Sequence, residues 1–294
     1  MDSSDDGKPM TLLSLLLASF TAFAADPLYD ATSAGTGGVG LADPTSVTAT
    51  LRSPALGAQL RRMDVIALGS VGGETALGAA IVDSATAEIA LGVSLRWEGS
   101  TPPYTDAELP AWYVGDTLPS NHKSITDAQL AGSAPIGLNG RLTFGLSGTL
   151  ARYDTATLGG GWTGNLGAGL ALRASERTTV AWALRNPLPT ASPRPTPLTT
   201  ALGARYAAPL GSIELDAGLR YDQALLPDLR AGGSVVIGKL VALRAGAAWT
   251  DHLDLCGGIG LQNETGGFGW SVVVPVGGGE PVHVFELWVH GATE

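Results

Sequence analysis

From about residue 64 to the last residues, apolar and small or polar positions alternate. Segments of about 8–11 residues place Val, Leu, Ile or an aromatic at every second position. In residues 212–222, SIELDAGLRYD, the residues Ile213, Leu215, Ala217, Leu219 and Tyr221 share one parity, and Glu214, Asp216, Gly218, Arg220 and Asp222 share the other. A period of two marks a strand with one apolar and one wet face. The pattern predicts strands over 64–72, 75–83, 87–97, 124–134, 141–152, 164–174, 178–185, 198–207, 212–222, 229–237, 240–249, 253–262, 267–275 and 282–290. No helical stretch interrupts them. About fourteen such segments in succession suit an all-β fold, an antiparallel transmembrane β-barrel with its apolar side turned to lipid.

The connections separate by parity. If the first strand rises from the periplasm, longer loops come after odd-numbered strands at 98–123, 153–163, 186–197, 223–228 and 276–281. Shorter ones come after even-numbered strands at 84–86, 175–177, 208–211 and 238–239, although 250–252 is short where a long loop is allowed. Long loops on one rim and tight turns on the other are a property of membrane barrels. Trp97, Tyr153, Tyr221 and Trp249 fall at the ends of rising strands, with Tyr206 and Phe268 near the opposite rim, as aromatic belts do.

Composition agrees. The 294 residues are 45% hydrophobic and only 15% charged, against about 25% charged in soluble domains. A soluble sandwich or propeller would show Lys and Glu on its outer face. The net charge of −10 offers no basic patch to phosphates and argues against nucleic acid as a partner. The single Cys256 excludes an internal disulfide and shares the wet-face parity of Asp254 and Gly258.

The start of the chain reads as export machinery. Residues 11–24, TLLSLLLASFTAFA, form a short apolar core ending in an A-x-A cleavage site, which predicts a signal peptide over 1–24. Lys8 is the only positive charge ahead of it, and translation beginning at Met10 is an alternative to Met1. Residues 25–63 are rich in Gly, Ser, Thr and Ala and lack the period of two, which suggests a plug inside a barrel formed by 64–294.

Three stretches carry a resemblance. The first is Gly35 to Asp43, GTGGVGLAD, with Ser53, Pro54, Ala55 and Leu56 after it. The second is LGARY at 202–206, after a Pro-rich loop. The third comprises LRAGAAW at 243–249, GGIGLQ at 257–262, and a final strand containing His283, Phe285 and Leu287. Together they resemble the FadL/PorV superfamily of outer-membrane barrels over roughly residues 31–290. Two departures stand out: Ser53 replaces the Asn of the family's Asn-Pro-Ala, and the chain runs past Val289 instead of ending on an aromatic. The resemblance implies a Gram-negative outer-membrane location, a plugged lumen and assembly by the barrel-assembly machinery. It implies one of two roles: uptake of a hydrophobic small molecule, or a PorV-like accessory that handles an exported protein. Gly35, Gly37, Gly38, Gly40, Asp43, Ser53, Pro54 and Ala55 are the hatch or gate residues it implies.

Other chemistry is sparse. GTGGVG at 35–40 spells a dinucleotide fingerprint, yet no apolar strand precedes it and Asp43-Pro44 breaks the helix that should come after it. His122, His252, His283 and His290 include no pair at metal-ligand spacing, so neither metal nor cofactor is expected. His252, beside Asp251 and Asp254, is the only candidate base with adjacent acids, and a solvated loop explains it better than catalysis.

The wet face is mostly Gly, Ala and Ser, including Gly92, Gly145, Gly203, Gly232 and Gly246. Small inward residues leave space either for a ligand or for residues 25–63. Lumen charges are few: Arg96, Arg205, Glu214, Asp216, Arg220 and Arg244 lead them, with Glu88 and Arg141 on the same parity and Arg220 a candidate partner of Glu214 and Asp216. The loop 98–123 carries Tyr104, Leu109, Trp112, Tyr113 and Leu118, an apolar surface on which a ligand could enter.

Overall fold

The computed structural model describes residues 30–72, 75–86, 88–100, 123–155, 159–187, 197–221 and 224–291. Fourteen strands run in order: β1 (Met63–Val71), β2 (Thr75–Asp83), β3 (Ala90–Ser100), β4 (Lys123–Gly137), β5 (Leu142–Thr155), β6 (Gly159–Arg173) and β7 (Thr178–Arg185), then β8 (Leu198–Ala208), β9 (Gly211–Tyr221), β10 (Leu225–Ile237), β11 (Val241–Trp249), β12 (Leu253–Asn263), β13 (Gly266–Pro275) and β14 (Val282–His290). Each pairs antiparallel with its neighbours in sequence. β1 closes on β14 in a register from Asp64↔His290 to Val71↔His283, so the sheet has no edge there and forms a barrel.

The barrel is inside-out relative to a soluble protein. On β9, Ile213, Leu215 and Leu219 are 63%, 58% and 45% exposed, while Ser212 and Glu214 of the opposite parity are 8% and 5% exposed. Burying a Leu or Ile is worth about 1.5–3 kcal/mol, a gain that every strand forgoes unless lipid surrounds it. Trp97, Trp162, Tyr221 and Trp249 are exposed toward one rim and Tyr206 and Phe268 toward the other. Tyr153 is a correction. It shares the parity of Gly145 and Ser147 and faces the lumen, where its hydroxyl lies over Gly161.

Several boundaries depart from the alternation. β5 and β6 continue through the predicted loop 153–163, pairing Tyr153↔Gly161, Asp154↔Gly160 and Thr155↔Gly159. β10 likewise begins at Leu225, so the predicted loop 223–228 contracts and Pro227 pairs with Leu219. β4, β5 and β6 run 15, 14 and 15 residues, where about 9–11 span a membrane. Their outward residues near the long-loop rim turn polar at Thr126, Arg152 and Asp154, which carries this part of the wall beyond lipid. β3 begins at Ala90, and Glu88 and Arg141 sit exposed in connections rather than in the lumen. The segregation of loops by parity rests mainly on 101–122 and 186–197, because most other connections are short on both rims.

Residues 30–60 form no strand. They comprise α1 (Ala31–Gly35), α2 (Ala49–Arg52) and a 3-10 turn, Gly57–Gln59, joined by tight turns. Nearly all are buried. Residues 1–29, with the predicted signal segment, lie outside the described residues.

Candidate functional site: the filled lumen

A segment without a sheet of its own must satisfy its backbone N–H and C=O groups elsewhere. Here the barrel wall does so from many directions. Gln129 of β4 donates to Leu51 O at 2.8 Å, Thr143 of β5 to Ala55 O at 2.7 Å, Arg230 of β10 to Gly38 O at 3.2 Å and Ser271 of β13 to Ala31 O at 2.5 Å. Arg173 of β6 and Arg185 of β7 reach Gln59 O and Arg52 O. Asp216 of β9 accepts from Gly40 N and Leu41 N at 3.1 and 3.2 Å, and Ser133 accepts from Ala58 N at 2.9 Å. Residues 30–60 are thus enclosed in the lumen and tied to the wall.

The small inward residues mark where this segment crosses the wall. A Cβ on Gly145 would lie 2.2 Å from Pro54 C, on Gly232 2.0 Å from Thr36 O, and on Gly246 2.2 Å from Thr36 C. On Gly203 it would meet Leu41 Cβ at 2.8 Å. Real Cβ atoms do not approach so closely. Of the two explanations for the small wet face, packing of residues 30–60 accounts for these positions.

The segment also holds itself. Asp30 caps α1 by accepting from Ser33 N at 2.6 Å, and its other oxygen accepts from the hydroxyls of Ser46 (2.9 Å) and Thr48. Arg52 donates to Val39 O at 2.7 Å and Gly38 O at 2.6 Å, closing the loop between the helices. Burial acts to raise the Asp30 carboxyl, but Arg52 and the hydrogen bonds from Thr48 and Ser33 outweigh it and hold it below its ordinary value. Asp30 was not among the residues the sequence singled out. Its signal is an Asp three residues ahead of a Ser at a helix start.

The residues for which the family resemblance implies a gate occupy defined places. Gly37, Gly38 and Gly40 have φ of 79°, 76° and 128°, in the region that favours glycine. Gly35 packs against Ser271, and Asp43 pairs with Arg205 Nε at 3.0 Å. Ser53 ends α2 by donating its N–H to Ala49 O at 2.8 Å; Ser53, Pro54 and Ala55 are buried. Among the lumen charges, Arg205 also meets Glu214 at 3.3 Å, Arg96 pairs with Glu98, and Arg244 lies 3.7 Å from Glu286. Arg220 does not join Glu214 and Asp216. Six and four residues along one strand are roughly 20 and 13 Å, so those acids turn to Arg205 and to the segment's N–H groups instead.

Space remains toward the short-turn rim. A cavity of about 400 Å³ is bounded by Asp43, Arg205, Glu214, Arg244 and Trp288. Its lining mixes these charged groups with apolar side chains, among them Val39, Val47, Leu210 and Val236. At the other rim, His252 is held between Asp251 (Nδ1–Oδ1 2.7 Å) and Asp254 (Nε2–Oδ1 3.0 Å). Its Nδ1 is hydrogen-bonded to the Asp251 carboxylate. Tyr104, Leu109, Trp112, Tyr113 and Leu118 lie outside the described residues.

No protein-family model and no curated protein matches this sequence. Solved structures do match its fold. The toluene transporter TbuX of Ralstonia pickettii aligns with a TM-score of 0.69 at 12% identity, over 92% of this chain and all of that one. A FadL homologue of Pseudomonas aeruginosa aligns with a TM-score of 0.65 at 12% identity, over 91% of this chain and 99% of that one. The chain has the FadL-type barrel fold. The CymD monoaromatic hydrocarbon channel shares it, with a TM-score of 0.66 at 11% identity over 90% of this chain and 97% of that one. A FadL-type barrel is an outer-membrane architecture, in keeping with the apolar outer face of β1–β14.

Proposed function

We propose that this FadL-type barrel passes hydrophobic small molecules across the outer membrane and that residues 30–60 gate the passage. The observation that carries the reading is the segment fastened across the lumen through its backbone, in a fold whose solved neighbours are described as hydrocarbon channels and transporters. A compound would land on the apolar side chains of loop 98–123, enter the lumen, and proceed when part of the segment shifts. No covalent chemistry is needed; the compound has to favour the shifted state over the seated one. Bonds to charged wall groups are worth about 1.5–3 kcal/mol each. Release of one lobe, such as Gly38–Leu41 from Arg230 and Asp216, is therefore cheaper than ejecting the whole segment.

Hydrocarbons dissolve in plain lipid, so liposomes present no barrier to them. The test uses intact Gram-negative cells, whose outer leaflet excludes such compounds. Cells producing the full chain should accumulate labelled toluene several-fold faster than cells without it. Equal rates, with the barrel verified in the outer membrane, would refute the proposal.

A further inference from the structure

The outer wall carries one basic side chain that neither the barrel nor the lumenal segment uses. On β5 the outward residues Leu142, Phe144, Leu146, Gly148 and Leu150 are apolar or glycine, and the next outward residue is Arg152. Arg152 is exposed, and among the described residues it is the only Arg or Lys at an outward position of β1–β14. No hydrogen bond or ion pair to a described residue engages its guanidinium. The ten steps from Leu142 to Arg152, at about 3.3 Å each on a strand tilted by about 40°, rise about 25 Å. The apolar band of an outer-membrane barrel is about 25 Å tall. Arg152 therefore stands where the wall leaves the hydrocarbon, on the long-loop side.

Its neighbours form a row across four strands. Trp97 of β3 pairs with Thr126 of β4, Thr126 with Arg152, and Arg152 with Trp162 of β6. Trp97 and Trp162 are 41% and 64% exposed, and three strand spacings, about 14 Å, lie between them. Gly160 and Gly164 flank Trp162 along β6, and a Cβ on either would meet nothing nearer than 3.4 Å. The wall beside the guanidinium is thus bare. One row nearer the rim are Ser124, which accepts from Trp97 Nε1 at 3.0 Å, and Asp154, which is engaged within the protein. Below the row, Leu95, Leu130, Leu150 and Leu166 are all more than half exposed.

An arginine at the edge of hydrocarbon keeps its charge among the headgroups, and its planar fork matches a phosphate with two parallel hydrogen bonds. Tryptophans settle at the same level. The long loops of such a barrel lie outside the cell, so the lipid at this rim belongs to the outer leaflet. We infer that the β3–β6 face of the wall binds a phosphorylated glycolipid of that leaflet. Its phosphate meets Arg152, its sugar lies across Thr126 between the two tryptophans, and its acyl chains cover the leucines below. A platform four strands wide suits a lipid with several acyl chains better than one with two. The site is outside the barrel and stands whatever passes through the lumen.

Native mass spectrometry of the full chain in detergent tests this with three lipids: lipid A carrying two phosphates, the same lipid dephosphorylated, and phosphatidylglycerol. Phosphorylated lipid A should stay bound. Arg152→Gln should weaken it at least fivefold, and Arg152→Lys should keep part of the affinity as a point charge. Arg141→Gln, at an exposed turn of the opposite rim, should leave it unchanged. Dephosphorylated lipid A should bind the native chain and Arg152→Gln alike, and phosphatidylglycerol should bind more weakly than phosphorylated lipid A. Heat-dependent gel migration shows that each variant is folded; should Arg152→Gln not fold, Arg152→Lys and the dephosphorylated lipid on the native chain decide. The inference is overturned if folded Arg152→Gln holds phosphorylated lipid A as tightly as the native chain does, or if removing the phosphates changes nothing. Phosphatidylglycerol binding as tightly as lipid A would overturn the glycolipid as the occupant. Toluene uptake by cells is a separate readout, so failure here and failure of the passage reading are distinguishable.

Discussion

Gly246→Ala places a methyl group where the lumenal segment crosses β11. The new Cβ would lie 2.2 Å from Thr36 C, 2.4 Å from Thr36 O and 2.5 Å from Gly37 N. Carbon atoms rest about 3.5–4.0 Å apart, so this lobe must retreat by roughly 1.3–1.8 Å. The neighbouring bonds cannot stretch that far: Asp216 to Gly40 N and Leu41 N at 3.1 and 3.2 Å, and Arg230 to Gly38 O at 3.2 Å. Losing two or three bonds to charged groups costs about 3–9 kcal/mol, roughly 10²–10⁶-fold in the equilibrium for local opening. The wall itself is spared, since the methyl points inward and the β10–β11 and β11–β12 registers do not depend on it. Amide hydrogen exchange in detergent, read by mass spectrometry, should show faster exchange at residues 36–42 with the strands unchanged. Unaltered exchange at 36–42, in a variant that keeps the heat-dependent gel migration of a barrel, would refute the reasoning.

Other outcomes rest on the same contacts. Because Asp30 is held below its ordinary value of 3.8, its contribution to seating is fully present above that pH and is lost as pH falls through the lower folded value. Exchange at residues 30–48 should accelerate in that acid window, and Asp30→Asn should remove the dependence; tightening in acid would contradict the assignment. Leu215→Arg puts a charge on the lipid face and should destabilise the barrel by about 2–4 kcal/mol, seen as a lower urea midpoint, whereas no change would argue against lipid contact there. Leu138 is 62% exposed with φ of 52°, so Leu138→Asn should stabilise by about 1 kcal/mol or less; a clear loss of stability would show that this turn is not strained.

The wall was legible because lipid outside and a packed lumen inside impose opposite chemistries on alternate residues. β9 shows this along its length, from Ile213 to Tyr221. Strand ends were less legible. Gly159, Gly160 and Gly161 carry no alternation, yet they pair fully with β5. Tyr153 was assigned to a belt because it is aromatic and near a strand end, although its parity with Gly145 pointed inward. The glycines at 37, 38 and 40 announced an unusual backbone. The side chains that secure the segment did not announce themselves, because Gln129, Thr143, Arg173 and Arg185 bind carbonyl oxygens, which leave no mark in sequence. Arg205 drew its acids from β9 and from Asp43 in the segment, a meeting that only the closed barrel creates.

The native cysteine allows a direct test of the filled lumen. Cys256 of β12 packs in one buried cluster with Ala31 and Ala34 of α1. The only methionines are Met1, Met10 and Met63, so cyanogen bromide cuts the segment away from the barrel strands after Met63. In Ala31→Cys and Ala34→Cys, mild oxidation of the folded barrel should join the new cysteine to Cys256 in at least one variant. The two cleavage fragments should then stay together on a non-reducing gel and separate on reduction. Fragments that separate without reductant in both variants, from fully oxidised and properly folded protein, would contradict a segment lodged against the inner wall.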